Sequence, residues 1–370
     1  MGKKHFIGTA AAGVAVLLLS FSGACTDGRD EGFPPGERIG FAVDLWKEGG
    51  AAQAALTKGA GTEAGSLPAD TLPAVQVIPL EGEASGDGKP LYLHAVTTDG
   101  IGDDTAGQDI DAYATTKAAP VTTVTMYDEM AVTAFVYPAS DSWPSAYTGG
   151  STESYMRTVR VKKSESWSTS YYWPGAARRI SFFASAPYGS AGLTAFNDGT
   201  SGNPPYLSYT VPADVADQKD LLVAASTDRP GNTNTDEEAL AMKHALTAVR
   251  FVTGDNMLPG TVSKITLKGV YSAGSLPMTA SPAWNSPGGA RNFELTPEAV
   301  TFMMLPQTLP TNAQIEIVYR DNLTNATRTL TANIAGSTWA MGKTVTYRIS
   351  TSSIGITPTL EVTPPADYTY

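Results

Sequence analysis

The sequence predicts an all-β protein, and three observations support this. The 370 residues include 36 glycines and 25 prolines but only 16% charged residues, a composition typical of turn-rich β folds. Apolar and polar residues alternate over many short segments, as they do in half-buried strands. Turn residues separate these segments, and no sustained 3.6-residue period is present. Together these features predict β-sandwiches.

The first 24 residues have the pattern of a signal peptide. Lys3 and Lys4 precede an apolar stretch that is shorter than the roughly 20 residues of a membrane-spanning helix. Ser22-Gly23-Ala24 then precede Cys25, the only cysteine. We interpret residues 1–24 as a bacterial lipoprotein signal and Cys25 as the lipidated residue. The alternative is an ordinary signal peptide followed by a chance cysteine, because Ser22 replaces the aliphatic residue common at that position.

The remaining chain is predicted to contain two sandwich domains. Residues 25–38 are polar and form a tether. The N-terminal domain is placed at 39–228 and the C-terminal domain at 229–353, because a polar, turn-rich segment begins at Asp228. The tail, 354–370, is interpreted as a donor strand or as the start of a further module.

The first strand is predicted immediately after the tether. Ile39, Phe41, Val43 and Leu45 fall on one face by period two and are predicted to face a core. The Ala- and Gly-rich stretch 48–74 that follows favours a loop accessible to proteases.

The later strands are predicted from the same alternation. They lie at Val75–Leu80, Leu91–Thr97, Met130–Tyr137, Thr158–Lys162, Arg179–Ala186, Leu207–Val211, Leu221–Ala225, Lys243–Thr253, Ser263–Val270, Arg291–Leu295, Thr301–Leu305, Ala313–Arg320, Thr327–Ala335 and Lys343–Ser350.

The composition argues against several classes of function. A formal net charge of −11 disfavours nucleic acid as a partner. His94 and His244 do not have metal-ligand spacing, and the chain contains no nucleophile-elbow or phosphate-loop motif. We therefore predict no enzymatic activity, no metal and no cofactor.

Aromatic residues cluster on either side of the segment Thr158–Lys162, and two interpretations are open. Exposed rings can stack on sugars, but aromatic side chains more often pack in the core. The candidates for glycan stacking are Trp143, Trp167, Tyr172 and Trp173.

Several segments resemble the fimbrillin family of Bacteroides-type bacteria, the type V or Mfa-like pilins. They are the lipoprotein cysteine, Ile39-Gly40-Phe41, Thr115–Pro120, Tyr172-Trp173-Pro174, Ile180–Pro187, His244–Phe251, Met303–Gln307 and Lys343–Ile349. The resemblance implies two transthyretin-like β-sandwich domains and a structural or adhesive fimbrial subunit anchored by lipid at the outer membrane. The implied partners are other fimbrial subunits and ligands on host or bacterial surfaces. A glycan-binding surface lipoprotein is the alternative function.

In this family, an arginine-specific protease cuts stalk subunits behind the first strand. The C-terminal strand of another subunit then fills the groove by β-augmentation. This chain has no arginine between Arg38 and Arg157. Lys58 is therefore our preferred processing site, with Lys47 second. Alternatively, the subunit keeps its strand and serves as an anchor, a tip or a lipoprotein that does not polymerise.

Two short motifs predict modification. Asp70-Thr71-Leu72 and Asp104-Thr105-Ala106 match an Asp-Thr-aliphatic acceptor pattern in predicted loops. They make Thr71 and Thr105 candidates for O-glycosylation, with a chance match as the alternative.

Overall fold

The computed structural model describes residues 37–45, 75–82, 90–101, 126–199, 202–232, 237–253, 260–295, 301–322 and 324–350. Strands make up 64% of the structure and helices 4%, which confirms the predicted all-β class. One four-residue helix, α1 (Ser145–Thr148), and two 3-10 turns, Lys163–Glu165 and Val215–Asp217, interrupt the strands.

The described residues form twenty strands. In chain order they are β1 (Arg38–Leu45), β2 (Val75–Leu80), β3 (Leu91–Asp99), β4 (Glu129–Pro138), β5 (Glu153–Lys162), β6 (Ser168–Tyr172), β7 (Arg178–Ala186), β8 (Leu193–Asn197), β9 (Tyr206–Thr210), β10 (Leu222–Pro230), β11 (Glu238–His244), β12 (Thr247–Thr253), β13 (Gly260–Pro277), β14 (Asn285–Leu295), β15 (Thr301–Met304), β16 (Gln307–Thr308), β17 (Gln314–Asp321), β18 (Thr327–Asn333), β19 (Thr338–Trp339) and β20 (Lys343–Ser350).

A seven-stranded sheet contains the first strand. Its order is β5-β4-β7-β10-β11-β1-β6, so β1 lies inside the sheet and not at its edge. Strand β4 is buried along almost its whole length because both faces of the sheet are covered. A continuous apolar run such as Met130–Tyr137 is what such a doubly covered strand requires.

Two further sheets share one core with residues of β4, β7 and β10 from the seven-stranded sheet. The five-stranded sheet has the order β15-β12-β20-β3-β2, and the six-stranded sheet has the order β18-β17-β13-β9-β8, with β14 paired to β13. Backbone hydrogen bonds between Glu81 and Thr331 join the edges of these two sheets. One continuous core includes Leu93 and Tyr347 from the first of them and Leu267 and Ile317 from the second. Strands β16 and β19 form a separate small pair.

The predicted domain boundary does not separate these sheets. It falls between residues 228 and 229, inside β10. Strands from both sides of this point pair in each of the three large sheets; for example, β3 pairs with β20 and β9 pairs with β13. The tandem arrangement stays a prediction. If it holds, the second sandwich recruits β2, β3, β8 and β9 from the first 228 residues.

Several strand predictions differ from the structure. The segment Lys243–Thr253, predicted as one strand, forms the end of β11 and all of β12. The chain changes sheets between them at Ala245 and Leu246, which are both fully buried. The alternation pattern did not predict β6, β8, β16 and β19.

Candidate functional site: the first strand and its slot

The site is the position that β1 occupies between two strands distant in sequence. On one side β1 runs parallel to β11, with Phe41 opposite Glu238 and Leu45 opposite Met242. On the other side it runs antiparallel to β6, with Arg38 opposite Tyr172 and Gly40 opposite Ser168. We call the space between β11 and β6 the β1 slot.

Alternate side chains of β1 point into the interior of the seven-stranded sheet. Ile39 and Phe41 are both 0% exposed, whereas Val43 and Leu45 are half-buried. On the opposite face of the strand, Ala42 and Asp44 are exposed. The strand therefore has one apolar face, and its first half is the buried part.

Aromatic contacts secure the buried half. The rings of Phe41 and Phe182 meet edge-on, with centroids 5.4 Å apart. Phe182 also meets Trp173 edge-on, at 5.8 Å. Phe182 lies on β7, which is next to the central strand, β10. The first strand thus contributes to the centre of this interior.

Two register pairs join β1 to β6, and a side-chain hydrogen bond supplements them. The amide of Phe41 donates to the carbonyl of Trp167 at 3.3 Å. The amide of Trp173 donates to the carbonyl of Glu37 at 3.0 Å. The register shifts between Arg38 and Gly40. At this shift the Thr169 hydroxyl donates to the carbonyl of Ile39 at 2.8 Å and replaces a backbone partner.

A buried carboxylate lies beside β1 on β11. The Glu238 side chain is 3% exposed. It accepts hydrogen bonds from the Ser226 hydroxyl at 2.6 Å and from the Arg229 guanidinium at 2.8 Å. Because a buried charge without partners is costly, these two contacts allow Glu238 to occupy the apolar face of the strand.

Strand β6 is also held from its far side. The hydroxyl of Tyr155 on β5 donates to the carbonyl of Tyr172 at 2.7 Å. The rings of Tyr155 and Tyr171 meet at 5.4 Å. These contacts connect the two edge strands of the seven-stranded sheet, so β6 has a partner besides β1. The alternation of Thr169 and Tyr171, both residue types that favour strands, is the signal in the sequence that could have identified β6.

The structure contradicts glycan stacking for two of the four aromatic candidates. Trp143 is 7% exposed and packs against Phe135 and Phe183, each at 5.0 Å between centroids. Trp173 is 4% exposed. Both rings are core residues because their large apolar area is most stable when buried. Trp167 and Tyr172 are half-buried and flank β1.

The other predicted site residues lie outside the described residues. They are the lipidation candidate Cys25, the processing candidates Lys47 and Lys58, and the O-glycosylation candidates Thr71 and Thr105. The tail 354–370 also lies outside them.

The described residues hold no group of three or more histidine, cysteine or acidic side chains placed to bind a metal ion. Nor does any helix among them have both the length and the apolar character to cross a bilayer. His244 pairs with buried Asp220 at 2.8 Å, and the Tyr127 hydroxyl donates to the carbonyl of Asp220 at 3.0 Å. This cluster joins the segment before β10 to the end of β11.

Three solved structures from Bacteroides are similar to this chain at low identity. A candidate cell adhesion protein from Bacteroides ovatus shares 16% identity over 60% of this chain and 81% of its own, with a TM-score of 0.36. A second candidate cell adhesion protein, from Bacteroides uniformis, shares 11% identity over 72% of this chain and 98% of its own, with a TM-score of 0.36. A candidate polysaccharide-binding protein from Bacteroides thetaiotaomicron shares 11% identity over 55% of this chain and 71% of its own, with a TM-score of 0.28.

No curated protein matches the chain. The family model described as "Fimbrillin-like" matches residues 101–364, which is most of the sequence and includes strands of all three large sheets. The chain belongs to the fimbrillin-like family.

Proposed function

We propose that this protein is a lipid-anchored subunit of a fimbria, which joins other subunits by exchange of a strand at the β1 slot. Membership of the fimbrillin-like family identifies a fimbrial or adhesin-like protein of the cell surface. Family proteins of this kind have structural or binding roles and not enzymatic ones. The lipid anchor and the strand exchange are the proposed parts.

The observation that carries the proposal is the burial of Ile39 and Phe41 on a strand inside a sheet. The next described residue after β1 is Val75, 30 positions later. A cut in this interval would separate β1 from the rest of the chain, and only noncovalent contacts would then hold it. Lys58 and Lys47 both lie there.

An empty slot would be unstable. Burial of a side chain the size of Ile or Phe contributes about 1.5–3 kcal/mol. Departure of β1 would expose this apolar surface together with unpaired backbone groups of β11 and β6. Such a site is a template for another strand, since backbone hydrogen bonds supply affinity and alternate side chains supply specificity.

The contacts of β6 support reuse of the slot. Tyr155 binds Tyr172 from the side opposite to β1. This contact does not involve β1, so β6 keeps one partner when β1 leaves. The slot then has two defined walls for an incoming strand.

The proposed attachment is by lipid at Cys25. Acyl chains contribute about 0.8 kcal/mol per buried methylene, and two or more chains give durable anchoring. The net charge of −11 gives anionic headgroups no electrostatic attraction to this chain. The proposed location is the outer surface of the outer membrane.

The experiment that tests this function is a mass measurement on the native protein. Subunits released from purified fimbriae should begin after Lys58 or Lys47, and the precursor should begin at a lipid-modified Cys25. Native subunits that retain residues 39–45 within a fimbria would contradict the proposed exchange and would favour an anchor or tip.

Glycan binding is the second candidate, supported by the half-buried rings beside the slot. Trp167 immediately precedes β6, and Tyr172 ends it. Both are half-buried, and the Arg38 guanidinium lies 6.0 Å from the centre of the Tyr172 ring. Retention on a glycan array that is lost in Tyr172→Ala but kept in Tyr188→Ala would support this function. Tyr188, 38% exposed in the turn after β7, is the matched control.

A further inference from the structure

A hollow lies over Gly40, near the start of β1. Gly40 is opposite Ser168 of β6, and on its other side it lies beside Glu237, the residue that precedes β11. A β-carbon built on Gly40 would be 3.6 Å from Cγ of Glu237 and 3.9 Å from Oγ of Ser168. The three residues therefore form a row with glycine at its centre. The space above the glycine measures about 230 Å³, and we call it the Gly40 hollow.

The backbone does not require glycine at this position. Gly40 does not have a positive φ angle, and its surroundings leave room for a β-carbon. The register shift beside it calls for glycine only where the bulged residue has a positive φ. Glycine weakens a strand interior and often marks a place where a ligand approaches closely. What glycine provides at position 40 is space.

The lining of the hollow combines hydrogen-bond acceptors with one cationic donor. The polar groups are the carboxylates of Glu37 and Glu237, the hydroxyl of Ser168 and the guanidinium of Arg38. All four residues are exposed, so their polar groups are accessible to a ligand. The Arg38 guanidinium lies 6.0 Å from the centre of the Tyr172 ring, a contact that restrains it beside the hollow.

These groups fit a neutral ligand that carries several hydroxyl groups. A hydroxyl both donates and accepts hydrogen bonds, so it pairs with a carboxylate or with a guanidinium. Hydrogen bonds from hydroxyls to carboxylates are short and strong. A cationic ligand would meet Arg38, and an anionic ligand would meet two carboxylates. The hollow is smaller than the pockets of about 300–1,000 Å³ that hold drug-sized ligands, so it has room for one sugar ring.

Trp173 completes the wall of the hollow and connects it to β1. Its amide donates to the carbonyl of Glu37 at 3.0 Å, and its ring meets Phe182 edge-on in the interior. A ring that is 4% exposed offers no face for stacking, so recognition depends on the polar groups. The wall is already in place before a ligand arrives, which lowers the cost of ordering on binding.

We propose that the Gly40 hollow binds a single neutral sugar ring, whose hydroxyls donate to Glu37 and Glu237 and accept from Arg38. The inference rests on the second candidate function, glycan binding, and gives it a site and a ligand class. Part of the lining comes from β1 and the residue before it, so the site exists only while β1 occupies its slot. A ligand that binds only this state stabilises it. The bound sugar therefore opposes release of β1.

Saturation-transfer NMR on the full-length, untrimmed protein tests binding. The probes are the methyl glycosides of glucose, galactose, mannose and N-acetylglucosamine, with those of glucuronic acid and glucosamine as the anionic and cationic counterparts. At least one neutral glycoside should bind, and more tightly than either charged counterpart. Binding of the glucosamine or glucuronic acid glycoside alone would mean that the hollow selects a charged ligand, and would overturn the inference.

Two substitutions assign the binding to the hollow. Gly40→Val fills the space and should abolish binding, whereas Ala42→Val adds comparable bulk to the next exposed position of β1 and should leave binding unchanged. Valine favours strands, so neither change should lower the urea midpoint of unfolding. Glu237→Gln keeps the shape of the side chain and removes its charge, and it should weaken binding about fivefold. Its control is Glu294→Gln, which alters an exposed carboxylate on β14.

Hydrogen exchange is the second measurement. The amides of Arg38–Phe41 should exchange more slowly when the binding glycoside is present, because the ligand holds β1 in place. Binding that persists in Gly40→Val, or that leaves this exchange unchanged, would overturn the inference while glycan binding stands. Failure of every neutral glycoside, together with no retention on the glycan array, would contradict the glycan-binding function itself.

Discussion

The ring of Phe41 meets the ring of Phe182 edge-on, with centroids 5.4 Å apart and planes at 86°. This pair connects the first strand to β7, although the two strands are not hydrogen-bonded neighbours and β10 and β11 lie between them. Aromatic pairs with this geometry contribute about 0.5–1.5 kcal/mol beyond their buried area. Strand β1 is therefore part of the sheet interior, and a molecule that loses it needs a replacement.

Phe41→Ala should destabilise the untrimmed protein by about 3–5 kcal/mol, because it removes a fully buried ring and leaves a cavity. Urea unfolding followed by tryptophan fluorescence measures the change. The control is Asp44→Ala on the same strand, where the exposed side chain should change stability by no more than about 0.5 kcal/mol. A cost below about 1 kcal/mol for Phe41→Ala would show that β1 does not support this interior.

Arg229→Met should cost about 1.5–3 kcal/mol, since it removes a charged hydrogen-bond donor from the buried Glu238 carboxylate. The matched control is Lys264→Met. Lys264 pairs with Glu294 at 3.3 Å, and the two side chains are 41% and 61% exposed. Such pairs contribute less than about 1 kcal/mol. Equal unfolding free energies for the two variants would mean that Glu238 does not depend on Arg229.

The protein should lose stability as the pH rises from about 10 to about 12. Burial raises the pKa of Tyr347 to about 12, above its unfolded value of 10.0. The unfolded chain therefore releases this proton first, and the stabilisation present below pH 10 disappears as the pH approaches 12. Burial also raises the pKa values of Tyr127 and Tyr209.

Tyr347→Phe isolates one contribution to this alkaline transition. A tyrosine whose pKa is raised in the folded protein lowers the unfolding free energy by about 1.4 kcal/mol per pH unit between its unfolded and folded pKa values. Urea unfolding at a series of pH values should give a slope that is shallower by this amount in the variant. An unchanged slope would show that Tyr347 titrates normally. The variant also loses the hydrogen bond that the Trp339 indole donates at 3.2 Å, which lowers stability equally at every pH.

Cys25→Ala should release the protein from the membrane fraction or stall cleavage of its leader, because the proposed anchor is lipid on this residue. Membrane fractionation and palmitate labelling measure the effect. Ser22→Ala is a neighbouring control that keeps the thiol. Unchanged labelling and fractionation of Cys25→Ala would exclude lipid attachment at this cysteine.

The alternation pattern located most strands but not their partners. The bounds of β2 and β20 were predicted to the residue, since clear apolar and polar alternation and turn residues limit both. Pairing of β1 with β11 joins positions nearly 200 residues apart. Alternation reports which face of a strand is buried and carries no information on which strand lies beside it.

The sequence also does not predict whether a single aromatic residue is exposed or buried. Trp143 follows a strand in a turn-rich segment, a place where rings are often exposed. Its indole instead donates to the carbonyl of Met278, 135 residues later, at 2.6 Å. Only the packing of distant strands determines that this ring is covered, so the sequence alone does not distinguish the two interpretations of the aromatic cluster.

The measurement that tests strand exchange most directly is the oligomeric state of the trimmed subunit. Limited trypsin treatment should cut at Lys58 or Lys47 and produce oligomers that resist SDS on mild heating. A variant that lacks residues 354–370 should be cut equally well and stay monomeric when treated alone, because it has no strand to donate. If the trimmed full-length chain also stays monomeric at high concentration, exchange at the β1 slot is wrong, and an anchor, tip or glycan-binding role explains the protein better.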